Sequence, residues 1–230
     1  MRNAIASMLV ALLLLGAALP LLVLDASGTR WEQTSADDFD DGESFFVNTD
    51  AGTLKLAYDL VEGWSIAGEG TDDRFGYSGA SAGDVNGDGY DDVIVGAWYD
   101  ASSTGKTYVW YGSSTGLASD SDASDADWSI AGEGTSDRFG WSVASAGDVN
   151  DDGYDDVIVG AYYDASYTGK AYVWHGSSTG LTDGDDAGDA DWSIAGEGAD
   201  DYFGVSVASA GDVNGDGYDD VIVGAYYDVS

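Results

Sequence analysis

From Trp64 onward the apolar residues fall in short runs bounded by turn formers. Asp92-Val93-Ile94-Val95-Gly96-Ala97 is a continuous β-branched run, the pattern of a strand buried on both faces. Lys106-Thr107-Tyr108-Val109-Trp110-Tyr111 predicts a second strand, stopped by Gly112. Trp64-Ser65-Ile66-Ala67 predicts a third, and Phe75 to Ala82 a fourth. Segments rich in Ser, Thr, Gly and Asp separate these runs. The longest, 113–127, has no apolar periodicity and predicts an exposed acidic connection. The pattern is all-β.

The same pattern then returns. Trp64-Ser65-Ile66-Ala67-Gly68-Glu69-Gly70 is repeated from Trp128 and from Trp192, and Phe75-Gly76 returns as Phe139-Gly140 and Phe203-Gly204. The spacing is 64 residues each time, which divides the chain into units 64–127, 128–191 and 192–230, the last cut short. Four short strands per unit is the content of one β-propeller blade, a four-stranded antiparallel sheet. Residues 25–63 stand outside the repeat. Phe45-Phe46-Val47 and Leu54-Lys55-Leu56-Ala57-Tyr58 predict a hairpin around 48–52, either a degenerate blade or a separate short β segment.

Residues 1–24 read as an export device. Arg2 precedes an uncharged run from Asn3 to Leu24 that includes Leu12-Leu13-Leu14-Leu15. The run is long enough for a signal peptide and close to the length of an uncleaved membrane anchor. Gly16 and Ala18 have cleavage-like spacing, and Pro20 would interrupt a helix there. A secreted or cell-surface location is therefore expected.

Composition narrows the partners. Of 230 residues, 43 are acidic and 7 basic, a formal net charge of −36. Nucleic acid is excluded as a partner, because phosphate binding needs clustered Lys and Arg, and an anionic membrane surface is disfavoured likewise. Apolar residues at 44% and aromatics at 13% are enough for a packed core. There is no Cys, so disulfides and thiolate chemistry are absent and stability must come from packing and bound ions. Such a surface suits a calcium-rich or salty medium, where screening relieves self-repulsion.

The most informative segment is Asp84-Val85-Asn86-Gly87-Asp88-Gly89-Tyr90-Asp91-Asp92, which returns as Asp148 to Asp156 and Asp212 to Asp220. Oxygen-bearing side chains at the first, third, fifth and ninth places, with Gly at the sixth, suit a short loop for Ca²⁺. That ion takes six to eight oxygen ligands; Mg²⁺ demands stricter octahedral geometry and prefers to keep its waters. The expected ligands are the side chains of Asp84, Asn86, Asp88 and Asp92 with the carbonyl of Tyr90. The corresponding sets are Asp148, Asn150, Asp152, Tyr154 and Asp156, then Asp212, Asn214, Asp216, Tyr218 and Asp220. A helical calcium loop would need an acid at the twelfth place, but Val95, Val159 and Val223 stand there, inside β-branched runs. The competing possibility is an acidic hairpin turn that holds no ion.

Catalysis finds little support. Gly112-Ser113-Ser114-Thr115-Gly116 spells a nucleophile elbow, as does 176–180, but the elbow needs a strand–turn–helix setting, a His and an acid. His175 is the only His, and Tyr111 stands at its place one repeat earlier. Paired carboxylates for glycoside hydrolysis would be copied every 64 residues, whereas an active site is normally singular. Trp64, Trp128 and Trp192 offer sugar-stacking platforms, but their position beside Ile66, Ile130 and Ile194 favours packing between blades. Arg74 and Arg138 read as solvent-side partners of nearby acids. The chain is not expected to be an enzyme.

Phe75-Gly76, the Asp84 to Asp92 loop and Val93-Ile94-Val95-Gly96-Ala97, recurring in that order, resemble the FG-GAP repeat of integrin α-chain N-terminal β-propellers. The resemblance covers 64–230. The Pro expected after Gly-Ala is replaced by Trp98, Tyr162 and Tyr226. It implies blades of the FG-GAP type, a calcium loop joining two adjacent antiparallel strands, and rings that usually hold seven blades. About three blades make an incomplete ring, and self-association is one way to complete it. The implied function is extracellular recognition or cell adhesion, with a protein or carbohydrate ligand held by loops at one end of the blades. Two alternatives stay open: a non-catalytic accessory module of a larger cell-surface hydrolase, and a structural cell-wall component.

Overall fold

The computed structural model describes residues 64–118 and 122–227, together with the backbone of four earlier strands. β1 (Leu21–Leu24) pairs antiparallel with β2 (Trp31–Thr34). β3 (Phe45–Thr49) and β4 (Thr53–Ala57) form a hairpin, and β5 (Trp64–Ala67) pairs with the far edge of β4. Apart from the backbone of β1, the export segment expected at 1–24 lies outside the described residues. Among the described residues no helix is long and apolar enough to cross a membrane.

The repeat proper begins with a four-stranded antiparallel sheet of β6 (Phe75–Gly83), β7 (Asp92–Ala97), β8 (Lys106–Trp110) and β9 (Trp128–Ala131). A second such sheet follows, made of β10 (Ser142–Gly147), β11 (Asp156–Ala161), β12 (Lys170–Trp174) and β13 (Trp192–Ala195). β14 (Phe203–Gly211) and β15 (Asp220–Ala225) form an antiparallel pair in the positions of the first two strands of a third. The sheets are one strand out of phase with the sequence units. Trp128-Ser129-Ile130-Ala131 opens the second unit, yet as β9 it closes the sheet begun at Phe75, because it pairs with β8 across the 111–127 connection.

Side-chain alternation along the middle strands turns these sheets into a stack. Val93 and Val95 of β7 point to one face, where they pack with Tyr108, Trp110, Phe75 and the Trp64 and Ile66 of β5. Ile94 and Val109 point the other way, into the core shared with Val157, Val159, Tyr172 and Trp174 of the next sheet. Ile158 and Val173 in turn meet Val207, Val221 and Val223 of the third. β7 and β11 are buried throughout, as a continuous β-branched run requires. The core is thus a series of layers between sheets.

The Phe-Gly pair locks each layer to the next. Phe139 is buried against Tyr172 and Trp174, with ring centroids 5.5 and 5.7 Å away. Its backbone bridges in parallel to Gly105 of the preceding sheet. Gly140 takes φ +78°, and its carbonyl lies so close to Gly96 that a Cβ on Gly96 would sit 2.0 Å from that oxygen. Gly160 has the same relation to Gly204, at 2.1 Å. The glycine inside each β-branched run therefore permits the close approach of neighbouring sheets.

The long connection is less open than its composition predicts. Leu117 and Leu181 are buried in the cores that hold Trp64 and Trp128. Ala123 and Ala187 are buried in short 3-10 turns, Ala123–Asp125 and Ala187–Asp189, capped by Asp122 and Asp186. Two isolated small apolar residues per connection are enough to pin it down but too few to show a period.

Candidate metal loops

Each nine-residue segment is the turn of a β-hairpin. It leaves the bulged end of β6, β10 or β14 and re-enters the sheet at β7, β11 or β15. In the first loop the Asp88 amide donates to Asp84 Oδ1 at 3.0 Å and to Asn86 Oδ1 at 2.9 Å. The Gly89 amide donates to Asp84 Oδ2 at 2.8 Å, and the Tyr90 amide to Asp88 Oδ1 at 3.0 Å. The second loop repeats this: Asp152 N–H to Asp148 and Asn150, Gly153 N–H to Asp148, and Tyr154 N–H to Asp152. In the third, Asp212 accepts from the amides of Gly215, Asp216 and Gly217, and Asp216 accepts from Tyr218. Such Asx turns hold the first, third and fifth side chains on one side of the chain. Gly89, Gly153 and Gly217 make the bend, at φ 89°, 90° and 96°.

The ninth-place acid is set apart from the other three. Asp92 is 1% exposed, and its two oxygens accept from Val85 N–H at 2.9 Å and Gly112 N–H at 2.8 Å. Asp156 is held likewise by Val149 and Gly176, each at 2.8 Å. Burial pushes the Asp92 carboxyl up to about 7; the two amides oppose this, and the charges of Asp88 and Asp84 add to it. Asp156 is pushed up to about 6 for the same first cause, against the Gly176 and Val149 amides and His175. Asp212 moves the other way, held below the usual carboxylate range chiefly by the Gly217 amide.

Among the described residues no three acidic, His or Cys side chains converge as a ready metal-holding group. The expected donor set also includes an Asn oxygen and a main-chain carbonyl, and the loop amides use only part of its capacity. An ionised carboxylate has about four lone-pair sites; Asp88 is exposed and Asp84 half-buried. An all-oxygen set in which ionising the buried acid is opposed by two neighbouring acids fits a hard divalent cation.

Other acids have roles that the loop pattern does not reveal. Asp155, at the eighth place, accepts from the Asp84 amide at 2.8 Å across the gap between sheets, and Asp219 does the same for Asp148 at 3.2 Å. Asp73 is buried and accepts from the amides of Gly70 and Phe75. Asp127 and Asp191 accept from the amides of Tyr111 and His175. Their recurrence every 64 residues was the available signal, but nothing local shows which amide each would reach.

The elbow-like segment is a closed turn. Ser113 Oγ donates to Gly116 O at 2.6 Å and Gly116 N–H donates to Ser113 O at 2.8 Å. Trp64 and Trp128 are core residues, with indole N–H groups donating to Ala118 O at 2.6 Å and Thr182 O at 3.0 Å. Arg138 differs from the expectation. Its guanidinium lies 5.1, 5.2 and 4.6 Å from the ring centres of Trp98, Tyr162 and Tyr163, and it donates to Tyr162 Oη. Among the described residues, the ion pairs are Lys106–Glu69 and Lys170–Glu133.

Arg138 belongs to the end of the sheets opposite the acidic loops. Tyr77, Trp98 and Trp141 form an aromatic cluster there, with centroids 4.4 to 5.9 Å apart, Trp98 meeting the other two rings edge to face. It runs on through Tyr162 and Tyr202 to Tyr226 and Tyr227, crossing all three sheets. Tyr77, Tyr99, Tyr226 and Tyr227 are exposed. Beside them the chain makes left-handed turns with no glycine: Ala101, Ser102 and Ser103 at φ 45°, 66° and 67°, and Ala165, Ser166 and Tyr167 at 46°, 62° and 71°. Each such residue costs about 1–2 kcal/mol.

Four-stranded antiparallel sheets stacked face to face, each with its first hairpin closed by an acidic loop, are blades of a β-propeller. A family model described as FG-GAP repeat matches at residues 75–110, 139–174 and 203–229, so the chain carries three FG-GAP repeats. It is similar to integrin alpha-6 of Gallus gallus, 36% identical over 176 residues that make up 70% of this chain and 14% of that protein. It is also similar to integrin alpha-5 of Xenopus laevis, 30% identical over 201 residues, 80% of this chain and 18% of that one. Integrin alpha pat-2 of Caenorhabditis briggsae is 36% identical over 160 residues, 62% of this chain and 12% of that protein. The chain therefore spans less than a fifth of the length of these relatives.

Proposed function

We propose that this chain is an exported, calcium-stabilised segment of β-propeller that serves extracellular recognition or adhesion, without catalysis. The observation that carries the recognition half is the partly exposed aromatic band across three blades, bordered by strained turns, at the end remote from the acidic loops. Aromatic surface of this kind contributes contact area to protein or carbohydrate ligands at little conformational cost. Similarity to integrin alpha chains supports the same reading. The closed turn around Ser113 supports the absence of hydrolytic chemistry.

Calcium would be held by Asp84, Asn86, Asp88, the Tyr90 carbonyl and Asp92, and by the corresponding residues 148–156 and 212–220. Calcium there supplies positive charge among acids that otherwise repel one another. The residues themselves bring the ends of the hairpin together, because Asp92 ties the loop entrance at Val85 to Gly112 beyond β8. The test is a calcium titration of the purified chain followed by thermal unfolding. Binding to the folded form should raise the melting temperature in step with log calcium concentration. A melting temperature that does not respond would sink the metal half. Trp98→Ala, with unchanged unfolding but unchanged adhesion of coated beads to matrix proteins and glycans, would sink the recognition half.

A further inference from the structure

The blade-to-blade contacts at the acidic end are specific and reciprocal. Asp84 N–H donates to Asp155 Oδ2 at 2.8 Å, while Asp155 N–H donates back to the Asp84 carbonyl at 3.2 Å. One repeat on, Asp148 N–H donates to Asp219 Oδ2 at 3.2 Å and Asp219 N–H to the Asp148 carbonyl at 3.0 Å. The glycine before each loop makes room, since a Cβ on Gly83 would sit 2.2 Å from Asp155 Oδ2 and one on Gly147 1.9 Å from Asp219 Oδ2. The ring of Tyr154 lies against Gly87, and Ser177 N–H donates to the Val85 carbonyl at 3.0 Å. The main chain at the entrance of one loop is thus held by the next loop, while the side chain of Asp84 stays committed within its own.

Asp155 stands between Tyr154 and Asp156, and Asp219 between Tyr218 and Asp220, residues assigned to cation binding in their own loops. Ordering either loop must therefore fix the peptide that brackets the loop before it. A loop already held in its bound shape loses less conformational freedom when its own cation arrives. Repulsion between cations in successive loops acts the other way but is weakened by salt at this solvated end.

Resting on the calcium reading above, we propose that the eighth-place aspartates Asp155 and Asp219 couple successive cation loops, so that calcium in one loop raises the affinity of the loop before it. The effect is expected to be about five-fold, the low end of measured couplings between sites.

The test uses the full chain and hydrogen exchange read peptide by peptide along a calcium titration. Asp152→Ala, which disables the second loop, should raise the calcium midpoint of the first loop about five-fold. Asp155→Ala should produce the same shift in the first loop while leaving the second loop's own midpoint within about two-fold. The two changes together should add nothing beyond either alone. Asp219→Ala, which should shift the second loop, repeats the test at an independent position if Asp155→Ala fails to fold. In chelator, Asp155→Ala should speed exchange of the Asp84 amide about ten-fold, as expected for losing a hydrogen bond to a charged group. A first-loop midpoint unmoved by Asp155→Ala, or an Asp152→Ala shift that persists without Asp155, would overturn the coupling alone. Loops that do not respond to calcium at all would instead remove the reading on which it rests.

Discussion

Removing calcium should make the protein less stable as pH rises from mildly acidic to neutral, opposite to the behaviour of most salt-bridged proteins. The cause is the ninth-place acids, with Asp92 pushed up to about 7 and Asp156 to about 6, both by burial first. A carboxyl whose pKa is higher in the folded chain binds its proton more tightly there. Its contribution to stability is full below the unfolded value, near pH 4, and is lost as pH climbs through the folded value. At about 1.4 kcal/mol per pH unit, the Asp92 displacement alone corresponds to roughly 4 kcal/mol. With a folded value of about 7, about 2 kcal/mol of this is lost above pH 5.5, and the value of about 6 for Asp156 adds about 1 kcal/mol. Ordinary carboxyls have already ionised by about pH 5.5, and although burial also raises Asp137 and Asp164, Asp92 and Asp156 are displaced furthest among the described carboxyls and dominate the window from there to about pH 8. Urea unfolding in chelator at fixed ionic strength should show a fall of about 2–3 kcal/mol across that window. The fall should disappear in Asp92→Asn,Asp156→Asn. With millimolar calcium the ionised acids are compensated and the wild-type curve should flatten or turn upward. Stability in chelator that is constant or rising over the window would refute the reasoning, as would a slope that survives the double substitution.

Three further outcomes follow from the packing. Gly96→Ala would force a Cβ to within 2.0 Å of the Gly140 carbonyl, a backbone clash that side-chain motion cannot relieve; a loss of about 3 kcal/mol or more in urea unfolding is expected. Thr107 Oγ1 is buried with no hydrogen-bond partner, and Ala171 occupies the same place one repeat later. Thr107→Val should therefore stabilise by about 1 kcal/mol, read as a higher urea midpoint at unchanged slope. Trp128 is 2% exposed and Trp192 is 43% exposed. Trp128→Ala should cost about 3–5 kcal/mol and Trp192→Ala under about 1.5, and equal costs would contradict the layered core.

Much of the architecture was legible in residues near one another in the chain. Continuous β-branched runs such as Val93-Ile94-Val95, glycines at the loop bends and the first, third and fifth oxygens of each acidic loop act over a few residues. The same local chemistry therefore recurs wherever the words recur. The hairpin at 45–57 and the buried Trp128 followed from pattern alone. The position of Arg138 did not. Its attraction to aromatic faces depends on Trp98 from the preceding blade and on Tyr162 and Tyr163, which follow β11 of its own blade, whereas nearby Asp residues dominate the linear view.

Identical words with different fates mark the boundary most clearly. Asp-Val-Ile-Val-Gly-Ala occurs three times, yet Ile94 and Ile158 are fully buried while Ile222 is 61% exposed. Trp-Ser-Ile-Ala is core at 64–67 and exposed at 192–195. Strand type, turn shape and candidate ligands are set by short-range sterics and hydrogen bonding, so the residues alone specify them. Burial, the sheet that claims a given strand, and the bracket from Asp155 to Asp84 depend on partners such as those 54 and 71 residues away. Only the packed stack of blades brings those groups together.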